Sequence, residues 1–218
     1  MSESSWDWLT KLRGRILVFD GPDGGGKTTQ VDRFTDYLQR HRLEVCTVRE
    51  PGGTQIGEQI RCLLLDPENR EMDMRCEMLL YMASRAQLVA STIRPALRQG
   101  KIVLADRFVS ATMAYQGAGG HISREEIRKV GQIALGDCWP DLVVILDVDQ
   151  MTTNLRLNPN LDRIERRSAE YHQMVRAEFL EQARRDPRRY AVVNASGDAD
   201  SVFVRIVDAV RSQLNEGS

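Results

Sequence analysis

The sequence predicts an α/β fold of three layers, a five-stranded parallel sheet flanked by helices. Three observations predict it. Short apolar runs alternate with helical patterns along the chain. The runs are apolar on both faces, as the strands of a covered parallel sheet are. The chain is 218 residues long, with 42% hydrophobic and 28% charged residues, which suits one globular domain. Residues 1–13 read as a loosely attached extension. Residues 14–218 read as a single domain carrying a short lid at about 156–170.

The elements follow in order. Arg15 to Asp20 (RILVFD) is an apolar run that stops at a glycine-rich turn, the pattern of a buried strand. Thr28 to Leu43 carries Val31, Phe34 and Leu38 at helical spacing. Val45 to Val48 is the second strand. Thr54 to Leu65 is helical and is stopped by Asp66-Pro67. Met74 to Leu97 is a long helical stretch with a kink or break expected at Pro95. Lys101 to Ala105 is the third strand. Phe108 to Gln116 is helical, and Gly117 to Gly120 reads as a flexible turn. Ser123 and Glu126 have capping-box spacing and open a helix to about Leu135. Asp141 to Asp147 (DLVVILD) is the fourth and most apolar strand. A short helix at 151–157 ends at Asn158-Pro159-Asn160, and a charged run, DRIERR, follows. Tyr171 to Arg185 is a helix, Tyr190 to Asn194 the fifth strand, and Val202 to Leu214 the closing helix.

Composition excludes several classes. The formal net charge is −1, which argues against a general nucleic-acid binder. No apolar run approaches the ~18 residues of a membrane span. The first residues lack a basic start, an apolar run and a cleavage site, so a cytoplasmic protein is expected. The four cysteines have no C-x-x-C spacing and the three histidines form no metal-spaced cluster. The cysteines therefore read as reduced thiols, mostly in or near the core. Only four of the 30 basic residues are lysine. Arginine suits polyphosphate because its planar fork binds oxygens in pairs, and biased genome composition would give the same surplus.

Gly21-Pro22-Asp23-Gly24-Gly25-Gly26-Lys27-Thr28 satisfies the phosphate-loop pattern G-x-x-x-x-G-K-[ST]. Glycines let the backbone curl so that several N–H groups face one anion. The helix that follows, starting Thr28-Thr29, adds its positive end. Lys27 would reach the β and γ phosphates, and the Thr28 hydroxyl would ligate Mg²⁺. The motif follows a predicted strand and opens a predicted helix, which is the context it needs. It predicts a P-loop NTPase fold with a nucleoside triphosphate site, which by itself does not name a reaction. A GTPase would carry Asn-Lys-x-Asp, and no asparagine here precedes lysine. A small P-loop kinase fits the length best.

Asp106-Arg107 follows the third strand directly, where strand ends face the ligand crevice. Asp106 could hold Mg²⁺ or its waters, and Arg107 could meet an acceptor phosphate. A helix cap and a surface arginine are the plain alternative. Arg49-Glu50-Pro51-Gly52-Gly53-Thr54 ends the second strand in the same way, and an ordinary turn would also explain it.

Taken together, these residues resemble the thymidylate kinase family. The resemblance rests on five collinear motifs between about 15 and 210. They are the P-loop with Asp23, Arg49 to Thr54, Tyr81 with Arg85, Asp106-Arg107-Phe108 continuing to Ala114-Tyr115-Gln116-Gly117, and Leu161-Asp162-Arg163-Ile164-Glu165. It implies phosphorylation of dTMP by ATP with Mg²⁺, and a homodimer. It also implies residue roles. Asp23 would bind the sugar 3′-hydroxyl, and Arg49, beside Pro51, would hold the dTMP phosphate with Arg107. Tyr81 would stack on thymine and Arg85 would hydrogen-bond a thymine carbonyl. Tyr115, followed by Gln116, would pack near the sugar. Glu165 would help place Mg²⁺ or substrate. On spacing alone, Tyr81, Arg85 and Tyr115 would each read as structural, and the charged run as a solvated surface.

Two departures from the family pattern stand out. The P-loop has no arginine, and Asn158 occupies the place of one lid arginine, so Arg156, Arg163, Arg166 or Arg167 must substitute, and Arg156 and Arg163 are favoured for the catalytic role beside Lys27 and Arg107. A serine of the family is Ala111 here, with Ser110 and Thr112 beside it, and Thr112 would take over a thymine contact. A kinase for another nucleoside or nucleoside monophosphate, or a catalytically lapsed nucleotide-binding module, are the alternative readings.

Overall fold

The computed structural model describes residues 6–156 and 161–216. Its centre is a five-stranded, all-parallel sheet. The strands are β1 (Ile16–Asp20), β2 (Val45–Arg49), β3 (Ile102–Asp106), β4 (Leu142–Asp147) and β5 (Tyr190–Asn194). They lie side by side in the order β2-β3-β1-β4-β5. Val18 stands opposite Ala105 on one side and Val143 on the other. The three inner strands are buried along their lengths, apart from a half-buried Asp147 at the end of β4. This is why their sequences are runs of Ile, Leu and Val rather than alternations.

Alternate residues feed two cores. Ile16, Val18, Val103, Ala105, Val143 and Ile145 point to one face. There they meet helices α3 (Met74–Leu88), α6 (Arg124–Leu135) and α8 (Ala169–Arg185). Leu17, Phe19, Leu104, Val144 and Leu146 point to the other, beneath α1 (Lys27–Arg40) and α9 (Ala199–Glu216). The remaining helices are α2 (Gln55–Leu65), α4 (Arg94–Arg98), α5 (Val109–Thr112) and α7 (Gln150–Arg156). The capping box forms: Ser123 accepts from the Glu126 N–H, and the Glu126 carboxylate accepts from the Ser123 N–H.

Three expectations change. Asp7 to Leu12 form a 3₁₀ helix whose Trp8, Leu9 and Leu12 enter the second core. This segment is therefore packed, not loosely attached, because it covers an apolar patch that α1 and α9 leave open. Trp6, half exposed, lies 4.6 Å from the His41 ring. Leu12 is 1% exposed, and Leu12→Ala is expected to cost about 2–5 kcal/mol. Thermal unfolding checks this, with a fall in Tm of roughly 5–15 °C at this chain length. Second, the helix does not break at Pro95. The irregularity is a π-helical turn at Val89–Ile93, and Pro95 sits in the first turn of α4, where a missing N–H costs little. Third, residues 117–120 are closely packed. A Cβ on Gly119 would lie 2.4 Å from the Tyr171 ring. Of the cysteines, Cys138 is buried and Cys46 half-buried, while Cys62 and Cys76 are exposed.

Candidate active site

The carboxyl ends of β1, β2 and β3 open into a cleft of about 460 Å³. The P-loop forms one end of it. Gly21 has φ +130°, and a Cβ there would meet the Leu146 carbonyl oxygen at 2.5 Å, so only glycine fits. Gly26, at φ +76°, precedes the first residue of α1. Lys27, Thr28 and Thr29 then turn toward the cleft at the positive end of the helix. Lys27 donates to the carbonyls of Gly21 (3.2 Å) and Pro22 (2.6 Å). It is buried, and that burial, with Arg107 nearby, lowers its pKa to about 8. No carboxylate lies within ion-pair distance of it among the described residues.

The Thr28 hydroxyl donates to Asp106 at 2.6 Å. These are two hard oxygen donors at the mouth of the phosphate loop. Mg²⁺ takes one or two protein oxygens and fills its octahedron with phosphate oxygens and water. The pair therefore fits a Mg²⁺ ion bound with a nucleotide.

Arg107 organises the middle of the cleft. Its backbone is left-handed, with φ +67°, an uncommon conformation for a residue with a side chain. Its Nη1 donates to Asp20 (3.2 Å) and to the Gly21 carbonyl (3.0 Å). Its Nη2 donates to Asp23 and to the Tyr115 hydroxyl (3.1 Å). The Tyr115 hydroxyl in turn donates to Asp23 at 2.8 Å. Burial pushes the Asp23 carboxyl up, but Arg107 and Lys27 outweigh it and hold it below its usual value. Asp20 is fully buried, and there desolvation wins over Arg107 and the Ser110 hydroxyl, so its pKa is raised.

The far end of the cleft is lined by Arg49, Glu50, Pro51, Arg61, Tyr81 and Gln116. Glu50 and Pro51 are joined by a cis peptide bond. Arg49 is held by Glu58 at 3.1 Å. Behind this wall sits Arg85, which is fully buried. Its Nε donates to Glu50 (2.6 Å) and its Nη1 to the Thr112 hydroxyl (3.1 Å). Burial pushes the Glu50 pKa up to about 7, against the pull of Arg85.

The predicted site residues thus divide. The structure brings Asp23, Gly24, Gly26, Lys27, Thr28 and Thr29 together with Arg49, Pro51, Tyr81, Asp106, Arg107, Tyr115, Gln116 and Glu165 around one cleft. Gly21 and Pro22 serve it through their carbonyls, and Gly25 packs against Leu146. Arg85 and Thr112 lie behind the wall, bonded to one another. Ser110 is committed to Asp20 (2.6 Å), and Ala111 faces the cleft.

The two arginines assigned to the lid also part company. Arg163 is buried, with its Nη2 on Glu77 (2.6 Å) and its Nε on the Leu64 carbonyl (2.8 Å). It does not line the cleft, so its placement runs against the catalytic assignment. Arg156 is exposed and bonds the carbonyls of Gly24 (3.3 Å), Ala195 (3.1 Å) and Gly197 (2.9 Å). It therefore sits against the phosphate loop itself. Asn158, with residues 157, 159 and 160, lies outside the described residues. The charged run that follows is not a solvated surface. Asp162 Oδ1 accepts from the N–H groups of Ile164 and Glu165, and Ile164 and Arg163 are buried.

Arg61 and Asp162 line the cleft without having been singled out, and Glu50 was quoted without a role. Arg61 carried a signal. It shares the buried face of α2 with Gly57 and Leu64, an odd position for a lone arginine.

A P-loop at the carboxyl edge of a parallel sheet, opening into a chamber lined by Arg49, Arg61 and Arg107, defines a small P-loop phosphotransferase. The sequence model of the family described as thymidylate kinase matches residues 19–206. A thymidylate kinase of Symbiobacterium thermophilum is 44% identical over 207 residues, which cover 93% of this chain and 97% of that protein. One from Pelotomaculum thermopropionicum is 42% identical, over 94% of this chain and 96% of that protein. The crystal structure of thymidylate kinase from Ehrlichia chaffeensis superposes with a TM-score of 0.74 at 30% identity, covering 89% of this chain and 97% of that one. The chain belongs to the thymidylate kinase family.

Proposed function

We propose that this protein transfers the γ-phosphate of ATP to dTMP, giving dTDP. The observation that carries the reading is the continuity of one cleft from Lys27 and Thr28 to Arg107 and Tyr81. A donor and an acceptor can meet in it. The acceptor phosphate has a second pKa of ~6 and is already largely a dianion at neutral pH, so no general base is needed. The barrier is the meeting of two polyanions, and positioning with electrostatic stabilisation lowers it.

In this reading the P-loop amides and Lys27 hold the donor phosphates. Thr28 and Asp106 would hold Mg²⁺, which would supply positive charge against the charge developing on the transferred group. Arg107 and Arg49 hold the acceptor phosphate, and Asp23 takes the 3′-hydroxyl. Tyr81 offers its ring face to thymine, and Gln116 its amide. Arg85, behind the wall, supports this end of the cleft from the rear through Glu50 and the Thr112 hydroxyl. Glu165 stays at the rim of the cleft, where burial raises its pKa.

Of the lid arginines, Arg156 is the catalytic one and Arg163 the structural one. Arg156→Ala should lower kcat by about tenfold or more with a smaller change in KM. Arg163→Ala should instead lower Tm and leave kcat within about threefold. The reverse pattern would return the catalytic role to Arg163.

The same reading includes a homodimer. Ile56 and Leu63, one heptad apart on α2, and Leu79 on the adjoining α3 are each about half exposed. An apolar stripe of this kind suits a second copy. Leu63→Glu with Leu79→Glu should give a monomer by light scattering. An unchanged mass would remove this surface from consideration. No described helix is long and apolar enough to cross a membrane, and a cytoplasmic setting is part of the proposal.

The test is coupled ADP release with ATP, Mg²⁺ and a panel of dTMP, dUMP, dGMP, AMP, UMP, CMP and thymidine. Strong turnover with dTMP and none with thymidine supports the proposal. Preference for another monophosphate keeps the phosphate machinery and overturns the roles of Tyr81 and Arg85. Silence with ATP still bound favours a lapsed module.

A further inference from the structure

Outside the phosphate machinery, a buried polar assembly is centred on Glu77. Its side chain has no exposed surface, and the transfer chemistry does not use it. Its Oε1 accepts from Gln116 Nε2 at 2.7 Å. Its Oε2 accepts from Arg163 Nη2 and Arg167 Nη2, each at 2.6 Å. Arg167 Nη1 donates to the Tyr171 hydroxyl at 2.5 Å, and that hydroxyl donates to the Tyr115 carbonyl at 2.9 Å. Tyr115 and Gln116 are neighbours in the chain, so the bonds close into a ring. Arg163 ties the ring to the end of α2 through the carbonyls of Leu64 and Leu65.

The ring joins segments that otherwise belong to different parts of the molecule. Tyr115 and Gln116 line the acceptor end of the cleft. Asp162 and Glu165, on the same turn as Arg163, line it from the other side. Glu77 also lies four residues before Tyr81 and eight before Arg85. One face of α3 therefore carries the ring, the cleft aromatic and the buried arginine. A buried carboxylate facing arginines stabilises a fold no better than apolar packing of the same volume would. What such a network supplies here is fixed geometry.

We infer that Glu77 is a positioning residue for the acceptor. It holds the Gln116 amide in the cleft wall and fixes that wall against the turn carrying Asp162 and Glu165. The inference rests on the proposed use of this end of the cleft for dTMP. Through this linkage, acceptor binding depends on a carboxylate that never touches the acceptor, while the ATP end does not.

The experiment is steady-state kinetics of wild type, Glu77→Gln, Gln116→Ala and the double variant, with thermal unfolding of each. Each single change should raise KM for dTMP about tenfold, and the double should be no worse than the worse single. KM for ATP should stay within about twofold throughout. A Glu77→Gln protein with lowered Tm and unchanged KM for dTMP would overturn the inference, as would effects that multiply in the double variant. If Glu77→Gln does not fold, Arg167→Met replaces it, since Arg163 still pairs with Glu77. A rise of about threefold in KM for dTMP that vanishes in the Gln116→Ala background supports the inference, and a rise that persists there overturns it. A wild type that prefers another monophosphate overturns the dTMP assignment alone, and the same comparison is then read with that monophosphate. A wild type silent with every monophosphate overturns both.

Discussion

Lys27→Ala should lower kcat by about 10²- to 10³-fold while leaving the protein folded. The reason for the first effect is position. Lys27 opens α1 at the phosphate loop, buried and without a carboxylate partner among the described residues, so its charge is free for an incoming phosphate. The reason for the second is that its bonds go to the Gly21 and Pro22 carbonyls, which cleft water can reach once the side chain is gone. Coupled ADP release beside a melting curve separates the two. A variant keeping more than about a tenth of wild-type turnover would remove Lys27 from the transition state. The pH profile offers a second check. The pKa of Lys27 is about 8 in the free protein, so its charge is present below that pH and lost above it. kcat/KM for ATP should therefore fall above about pH 8. Bound phosphate raises the pKa, so kcat should hold to higher pH.

Arg107→Ala should damage both catalysis and stability, and the second effect should depend on pH. Arg107 is the cation between Asp20 and Asp23 and carries the Tyr115 hydroxyl as well. Removing it leaves Asp20, fully buried, with only the Ser110 hydroxyl and the Gly21 N–H. Breaking a buried pair from one side typically costs about 3–5 kcal/mol, or roughly 6–20 °C in Tm for a chain of this size. The sign with pH follows from the raised pKa of Asp20. Without Arg107 that pKa rises further, and the folded state then prefers the protonated acid. The loss should be full at pH 8 and smaller near pH 5. For catalysis, kcat/KM for dTMP should fall by about 10³-fold, as for an arginine that meets a transferring phosphate. Equal Tm losses at the two pH values would show that Asp20 is not the group left behind. An unchanged KM for dTMP would take Arg107 away from the acceptor.

Much of this was legible from residue order. The P-loop lies in eight consecutive residues, and its conformation depends on glycines whose φ values no other residue adopts readily. The strands announced themselves because both faces of β1, β3 and β4 are covered, so every position before the closing aspartate is apolar. Arg107 followed from its place after the third strand, whereas Tyr81 followed only from the resemblance to the family. What misled were long polar side chains. Arg156, at the end of a short helix, and Arg163, in the charged run, both fall within the stretch read as a lid. Their difference is which partner each meets across the fold, a buried Glu77 86 residues away for one and the Gly24 carbonyl for the other. The N-terminal 3₁₀ helix was missed for a related reason. Trp8, Leu9 and Leu12 show no period over so short a stretch, and their burial depends on the gap between α1 and α9.

By itself, then, the order of residues determined the parallel sheet, the phosphate loop and the set of side chains gathered at its edge. These are properties of backbone freedom and of local apolar pattern, which act over a few residues. Only the tertiary structure decided which arginine lies against the phosphate loop and which is locked away, that Arg85 stands behind the wall, and that Glu77 joins the wall to the turn at 162–165. An ion pair is chosen by distance in space, and a guanidinium on a flexible stem can reach several carboxylates until the surrounding fold leaves it one.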